Sequence, residues 1–126
     1  MDAIKVTLKT ESINNLTELI RMGVMNCIRS FQEYTPDAEE LEDLIRELAL
    51  CGRIEAQRGK SEDPGASETI HLAEEDIKEL LYRIEGETYD VIRADEGIDN
   101  FRWIIDITDT YRALGEALKI NVDRKE

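Results

Sequence analysis

The sequence predicts a mainly α-helical fold: a single-domain bundle of about four helices, with a short N-terminal strand and a β-hairpin possible at residues 53–72. Three observations lead to this prediction. Apolar residues recur at helical spacing in several long segments. The N-terminus instead alternates with a period of two, which is typical of a strand. The length of 126 residues suits one domain with a single core, built without disulfides or metals.

The N-terminal alternation defines the first element. In residues 3–9 the apolar side chains Ile4, Val6 and Leu8 alternate with Lys5, Thr7 and Lys9. This pattern predicts a half-buried strand, and the lysines suit an exposed sheet edge.

The next segment predicts a helix over residues 13–34, with Ser12 as its N-cap. Its main apolar stripe contains Leu16, Leu19, Ile20, Val24, Cys27, Ile28 and Phe31. Met22 and Met25 lie on the other side of the helix, and Met-rich surfaces recur at binding sites. We therefore treat both methionines as candidates for a subunit interface, beside the alternative that the helix is central within one core.

A second helix is predicted over residues 36–52, because Thr35 can be its N-cap and Pro36 its first residue. The apolar face expected to point inward consists of Leu41, Leu44, Ile45, Leu48 and Cys51. Acids are expected to cover the outer face: Glu39, Glu40, Glu42, Asp43 and Glu47. Acids in a first turn complement the helix dipole, so part of this cluster needs no functional explanation.

From residue 53 the pattern changes to short period-two runs at Ile54 and Ala56, and again at Ile70 and Leu72. With the Gly/Pro/Ser-rich stretch 60–67 as a flexible tip, they predict the β-hairpin at 53–72. A helix followed by a hairpin is also the order found in winged-helix proteins. The preceding helix is acidic where a DNA-reading helix should be basic, so direct binding of nucleic acid is not expected.

The C-terminal half predicts two further helices. The first covers residues 73–85 and ends at Gly86, while residues 87–97 fit either a short strand or helical turns. The second covers residues 98–118, with Asp99 as a possible N-cap and a frayed tail at 120–126. Trp103, the only Trp, lies near the edge of the apolar arc of this helix, so it is either a core residue or a partly exposed anchor for a partner.

Charge and cysteine content restrict the partners. The formal net charge of −13 repels nucleic acid and anionic membranes and favours a basic protein partner. Cys27 and Cys51 are too few for a disulfide framework and fit reduced core thiols. The N-terminus lacks the features of a signal peptide, and no apolar run approaches the length of a membrane span, so we expect a cytoplasmic protein.

Two acid pairs are the only enzymatic signal. Asp76 with Glu79, and Asp106 with Asp109, are each spaced three residues apart on predicted helices. Such pairs on facing helices can hold Mg²⁺ and a nucleotide's phosphates. The arrangement resembles that of the all-helical nucleotide pyrophosphohydrolases of the MazG type, and this resemblance implies a Mg²⁺-dependent hydrolase with these four ligands. Alternatively the pairs are ordinary surface acids, which a chain with 29 acidic residues contains by chance.

The favoured hypothesis is a non-catalytic protein–protein interaction or regulatory protein without a cofactor. The sequence contains one His and lacks a Gly-rich phosphate loop. One form of this hypothesis is an acidic inhibitor, of the kind phages encode, that blocks a nucleic-acid-binding protein by presenting carboxylates in place of phosphates. Its contact surface would include Glu39, Glu40, Glu42 and Asp43. We also expect a homodimer that forms through the first or last helix.

Overall fold

The computed structural model describes residues 3–59, 63, 65–93 and 101–125, and of residues 87–93, 101, 102, 122, 124 and 125 it describes only the backbone. Within the described residues the elements are, in order, β1 (Ile4–Lys9), α1 (Thr10–Ser30), α2 (Ala38–Gln57), β2 (Ser67–Leu72), α3 (Glu74–Arg93) and α4 (Phe101–Lys125). The prediction of a mainly helical fold with four helices and a short N-terminal strand is confirmed.

β1 and β2 form a two-stranded antiparallel sheet, in a register that pairs Ile4 with Leu72 and Val6 with Ile70. These four side chains are buried, as the alternation in β1 predicted. On the opposite face the hydroxyls of Thr7 and Thr69 lie 3.0 Å apart in a cross-strand hydrogen bond.

The predicted hairpin at 53–72 is corrected in its first strand. Residues 53–57 form the last turns of α2, and β2 pairs with β1 rather than with the segment before it. Ile54 is fully buried on the same side of α2 as Leu50, so the helical spacing of four residues places both in the core. Two apolar residues at period two were too short a signal to exclude a helix. Within the predicted tip, residues 60–62 and 64 lie outside the described part of the chain.

The core lies between the sheet and the four helices, and α1 contacts β1, α2, α3 and α4. The inward side chains of β1 are buried at 2–6% exposure, and every other element contributes apolar side chains that are less than 2% exposed. They are Ile13, Leu16, Leu19, Ile54, Ile70, Leu72, Ile77, Leu80, Ile107 and Leu114.

Helix starts differ from the predicted ones. α1 begins at Thr10, directly after β1, so Ser12 lies inside the helix instead of at its N-cap. α2 begins at Ala38, two residues later than predicted, because Asp37 rather than Thr35 is the N-cap. The Asp37 side chain accepts a hydrogen bond from the Glu40 amide at 2.8 Å, and the Glu40 side chain accepts one from the Asp37 amide in return.

The C-terminal helices are longer than predicted. α3 continues past Gly86 to Arg93, so residues 87–93 are helical, at the modest cost of one glycine in a helix interior. Asp99, the possible N-cap, lies outside the described residues. α4 continues to Lys125, beyond the predicted end at residue 118.

Candidate interaction surface

α2 exposes three large apolar side chains that were predicted to face the core. Leu41, Ile45 and Leu48 are 44%, 66% and 49% exposed. The prediction was right for Leu44 and Cys51, which are buried. It was wrong for the other three, because α2 is rotated relative to the predicted orientation.

An ion pair with α3 accompanies this rotation. Glu47, predicted to face solvent, is 2% exposed and contacts the guanidinium of Arg83. A second ion pair between the same helices joins Arg53 to Asp76 at 3.0 Å. A buried carboxylate requires a cationic partner. The position of Arg83 on α3 therefore allows Glu47 to be buried with Leu50, and the opposite side of α2 is left in solvent.

One strip of the exposed side of α2 contains no charged residue along almost the whole helix. We call it the apolar stripe, and it consists of Ala38, Leu41, Ile45, Leu48, Ala49, Gly52 and Ala56, all of which are exposed. Leu41, Ile45, Leu48 and Gly52 are spaced by four, three and four residues, which is the spacing of a helix-packing seam. A Cβ atom added at Gly52 would have no neighbour within 4 Å among the described residues, apart from the backbone of its own helix, so the stripe is open there.

α1 adds two apolar side chains beside the apolar stripe. Met25 and Ile28 are 49% and 45% exposed, and they follow Arg21 by one and two helical turns. Arg21 reaches Glu55 of α2 at 3.6 Å, so this side of α1 borders α2. Met22 is also exposed, at 47%. Met22 and Met25 are thus not covered within the domain, which leaves them available as the interface candidates of the sequence analysis, and their role in an interface stays a prediction.

Trp103, the third interface candidate, is partly buried on α4 and packs against the core. Trp103 therefore contributes to the core, while its role as an anchor for a partner stays a prediction. The structure does not bring Trp103 together with the apolar stripe.

The four predicted partner-binding acids do not form one uniform surface. Glu39 and Glu42 are exposed at the first turns of α2. Glu40 completes the helix cap and also accepts a hydrogen bond from the Tyr34 hydroxyl, which raises the pKa of Tyr34 above its ordinary value. Asp43 is bound by Arg46 one turn later. Glu39 and Glu42 thus remain the two acids of the set that face solvent next to the apolar stripe.

Both acids of the first predicted metal-binding pair contact arginines. Asp76 is bound by Arg53, and Glu79 lies 3.8 Å from Arg83. In each case the guanidinium neutralises a carboxylate that a metal ion would need as a ligand.

The second pair is separated from the first and has structural contacts of its own. Asp106 accepts hydrogen bonds from Ser12 and Asn15, each at 2.8 Å, and so joins α4 to α1. Asp109 is exposed and lies 3.7 Å from Arg112. Over residues 3–59, 63, 65–93 and 101–125 the structure contains no group of three or more His, Cys, Asp or Glu side chains that could hold a metal ion.

A polar junction lies where β2 begins. Glu68 accepts hydrogen bonds from the Thr10 hydroxyl at 2.7 Å and the Gly59 amide at 2.8 Å, and it lies 3.7 Å from Arg58. The Thr10 amide in turn donates to the Ala66 carbonyl at 2.8 Å. The hydrogen bond from Thr10, then that from Gly59 and the charge of Arg58, hold the pKa of Glu68 below its ordinary value of 4.5. This junction ties the start of α1 to the segment between α2 and β2.

Comparison with known proteins found no match among protein-family models, curated proteins or solved structures. None of the helices, as far as their residues are described, is both long enough and apolar enough to cross a membrane.

Proposed function

We propose that the protein is a non-catalytic interaction or regulatory protein that binds another protein through the apolar stripe. The observation that carries this proposal is the exposure of Leu41, Ile45 and Leu48 along one side of α2. A folded domain rarely leaves a continuous row of large apolar side chains in water, and such rows bordered by polar residues mark interaction sites. Met25 and Ile28 widen the row, so that a partner could contact α1 and α2 at once.

Charge suggests the chemistry of the partner. Glu39 and Glu42 are exposed at the N-terminal end of the apolar stripe, within a chain of net charge −13. A partner that offers an apolar ridge with Lys or Arg beside it would bury the apolar stripe and pair with these acids. Nucleic-acid-binding proteins carry basic surfaces of this kind, so an inhibitor of such a protein is the regulatory role we favour. We place the interaction in the cytoplasm, where the free thiols of Cys27 and Cys51 are stable.

A photo-crosslinking amino acid at position 45 tests the surface inside cells of the native source. Tyr82, which is 70% exposed on α3, provides the control position. We expect an adduct with a different polypeptide from position 45 and none from position 82. Equal labelling from both positions, or no adduct from position 45, would contradict the proposal.

The partner identified in the adduct then allows the charges to be tested. The double variant Glu39→Gln/Glu42→Gln should weaken its binding and reduce the salt dependence of the dissociation constant, since exposed charges act through screened electrostatics. The fold should be unchanged, because neither side chain takes part in the helix cap. Glu40 and Asp43 are left intact, since their loss would disturb the cap and the pair with Arg46. An unchanged salt dependence would refute the electrostatic part of the proposal.

A further inference from the structure

We infer that, while its protein partner is absent, the apolar stripe is covered by a second copy of this chain, with the two α2 helices packed antiparallel about a two-fold axis near residue 47. This inference rests on the proposed function because it concerns the same surface, which the second copy covers until the other protein binds. It differs from the expected dimer through the first or last helix, because the longest uncovered apolar row among the described side chains lies on α2.

The sizes of the stripe residues are complementary under this symmetry. An antiparallel two-fold near residue 47 places Leu41 of one copy opposite Gly52 of the other. Ile45 then meets Leu48 at the centre. Gly52 leaves an open space on the helix surface, so it can receive the Leu41 side chain as a hole receives a knob. The same axis brings Ala38 opposite Ala56, where small residues permit close approach of the helix ends. Isologous interfaces require this kind of self-complementarity.

The charges of α2 favour the antiparallel direction. Along one edge of the apolar stripe an acid, Glu42, lies in the first half of the helix and a base, Arg53, in the second half. Glu42 and Arg53 flank the same edge of the apolar stripe, about three turns apart. Like edges of the two stripes meet in an antiparallel pair, so each Glu42 lies near Arg53 of the other copy, whereas in a parallel pair these edges lie on opposite sides of the seam and this pairing is lost.

Salt distinguishes self-pairing from the binding of a basic partner. Two copies each carry −13, so their long-range interaction is repulsive, and screening it should leave dimerisation unchanged or stronger. A basic partner is attracted by the same charge, and salt should weaken its binding.

The mass of the full chain in solution is the primary test, measured by sedimentation equilibrium at tens of micromolar. We expect twice the chain mass of 14.5 kDa, retained at about 1 M salt, where the Debye length is about 3 Å. Ile45→Asp/Leu48→Asp should give the monomer mass with an unchanged far-UV circular dichroism spectrum, because both side chains are exposed in the single chain. Tyr82→Asp is the matched control and should remain dimeric.

Cysteine crosslinking tests the direction of the helices. Ala38 and Ala56 lie about 27 Å apart along α2, at a rise of 1.5 Å per residue, whereas a disulfide joins Cα atoms about 4.4–6.8 Å apart. In an oxidised mixture of Ala38→Cys and Ala56→Cys, we expect crosslinks between the two variants. Parallel helices would instead crosslink each variant with itself. The wild-type chain, in which Cys51 is buried and Cys27 partly buried, measures the background.

A monomeric wild-type chain would overturn the inference, and so would a dimer that persists in Ile45→Asp/Leu48→Asp. Crosslinks of each variant only with itself would overturn the antiparallel arrangement. The proposed function is judged separately: a monomer that still crosslinks to a different polypeptide from position 45 would refute self-pairing and support the binding of another protein.

Discussion

The polar junction at Glu68 leads to a quantitative prediction about stability. The conservative variant Glu68→Gln keeps the shape of the side chain but removes its charge. The amide oxygen of Gln can still accept one of the two hydrogen bonds, from Thr10 or from Gly59. Its NH₂ group cannot accept the other bond, and it faces either the second donor or Arg58. The side chain is only 9% exposed, so water can replace the lost bond only in part.

The size of the effect follows from these contacts. A hydrogen bond to a charged group contributes about 1.5–3 kcal/mol, so the loss of one such bond should lower the free energy of unfolding by about 2 kcal/mol at pH 7. For a domain of this size, that corresponds to a Tm lowered by roughly 6–10 °C. Glu18→Gln, an exposed carboxylate on α1, is the matched control and should shift the Tm by less than about 2 °C.

The pH dependence has a definite sign. Because the pKa of Glu68 is lower in the folded chain, the Glu68 carboxylate is protonated first in the unfolded chain as the pH falls. Protonation of Glu68 therefore favours unfolding. The stabilisation is complete above the ordinary pKa of 4.5 and is lost as the pH falls through the folded-state pKa. The gap in stability between wild type and Glu68→Gln should therefore narrow on acidification.

Urea denaturation of both proteins, followed by circular dichroism from pH 7 down to about pH 3, measures this gap. The reasoning would be refuted by a Glu68→Gln protein as stable as wild type at pH 7. A gap that stays constant over the whole pH range would show that the variant disturbs packing rather than a charged contact.

Two further predictions concern other carboxylates. Arg83→Met should destabilise the fold by about 3–5 kcal/mol in urea denaturation, since it leaves buried Glu47 without its cation; the double variant with Glu47→Gln should recover a large part of that loss, and no recovery would count against the pair. Asp106→Ala should cost about 1–3 kcal/mol because it removes the α1–α4 hydrogen bonds, whereas Asp109→Ala, at a side chain 66% exposed, should change stability by less than about 0.5 kcal/mol. Equal effects at the two positions in thermal unfolding would contradict this assignment.

Much of the fold could be predicted from local patterns. The alternation in residues 4–9 predicts both the strand and the buried side of β1, because side-chain direction in a strand depends only on the period of two. The stripe of α1 is equally informative: Leu16, Leu19, Ile20 and Val24 are buried, and the methionines opposite them are exposed. In β1 the apolar residues cover only one side, so only one orientation buries them. In α1 the predicted stripe was wrong for Ile28, which is 45% exposed at its edge.

Other features depended on contacts between distant residues. β2 was recognisable as a strand, but its partner was not, since pairing of Val6 with Ile70 depends on how the intervening helices pack. The N-cap of α2 was also ambiguous, because Thr35 and Asp37 are both good capping residues. The structure selects Asp37, which forms reciprocal hydrogen bonds with Glu40.

The exposure of the apolar stripe shows most clearly which features the sequence determined and which the tertiary structure determined. The sequence by itself determined that α2 is an amphipathic helix rich in leucine. Its apolar side chains surround more than half of the helix, so the sequence permitted two different sides to be buried. One of these sides contains Glu47, and burial of a carboxylate that has no partner is unfavourable. Only the tertiary structure supplied Arg83 from α3, and its charge makes burial of Glu47 favourable enough for Leu50 and Ile54 to enter the core. The apolar stripe is exposed as a consequence, because a helix that packs on one side against its own domain leaves the other side to solvent or to a partner.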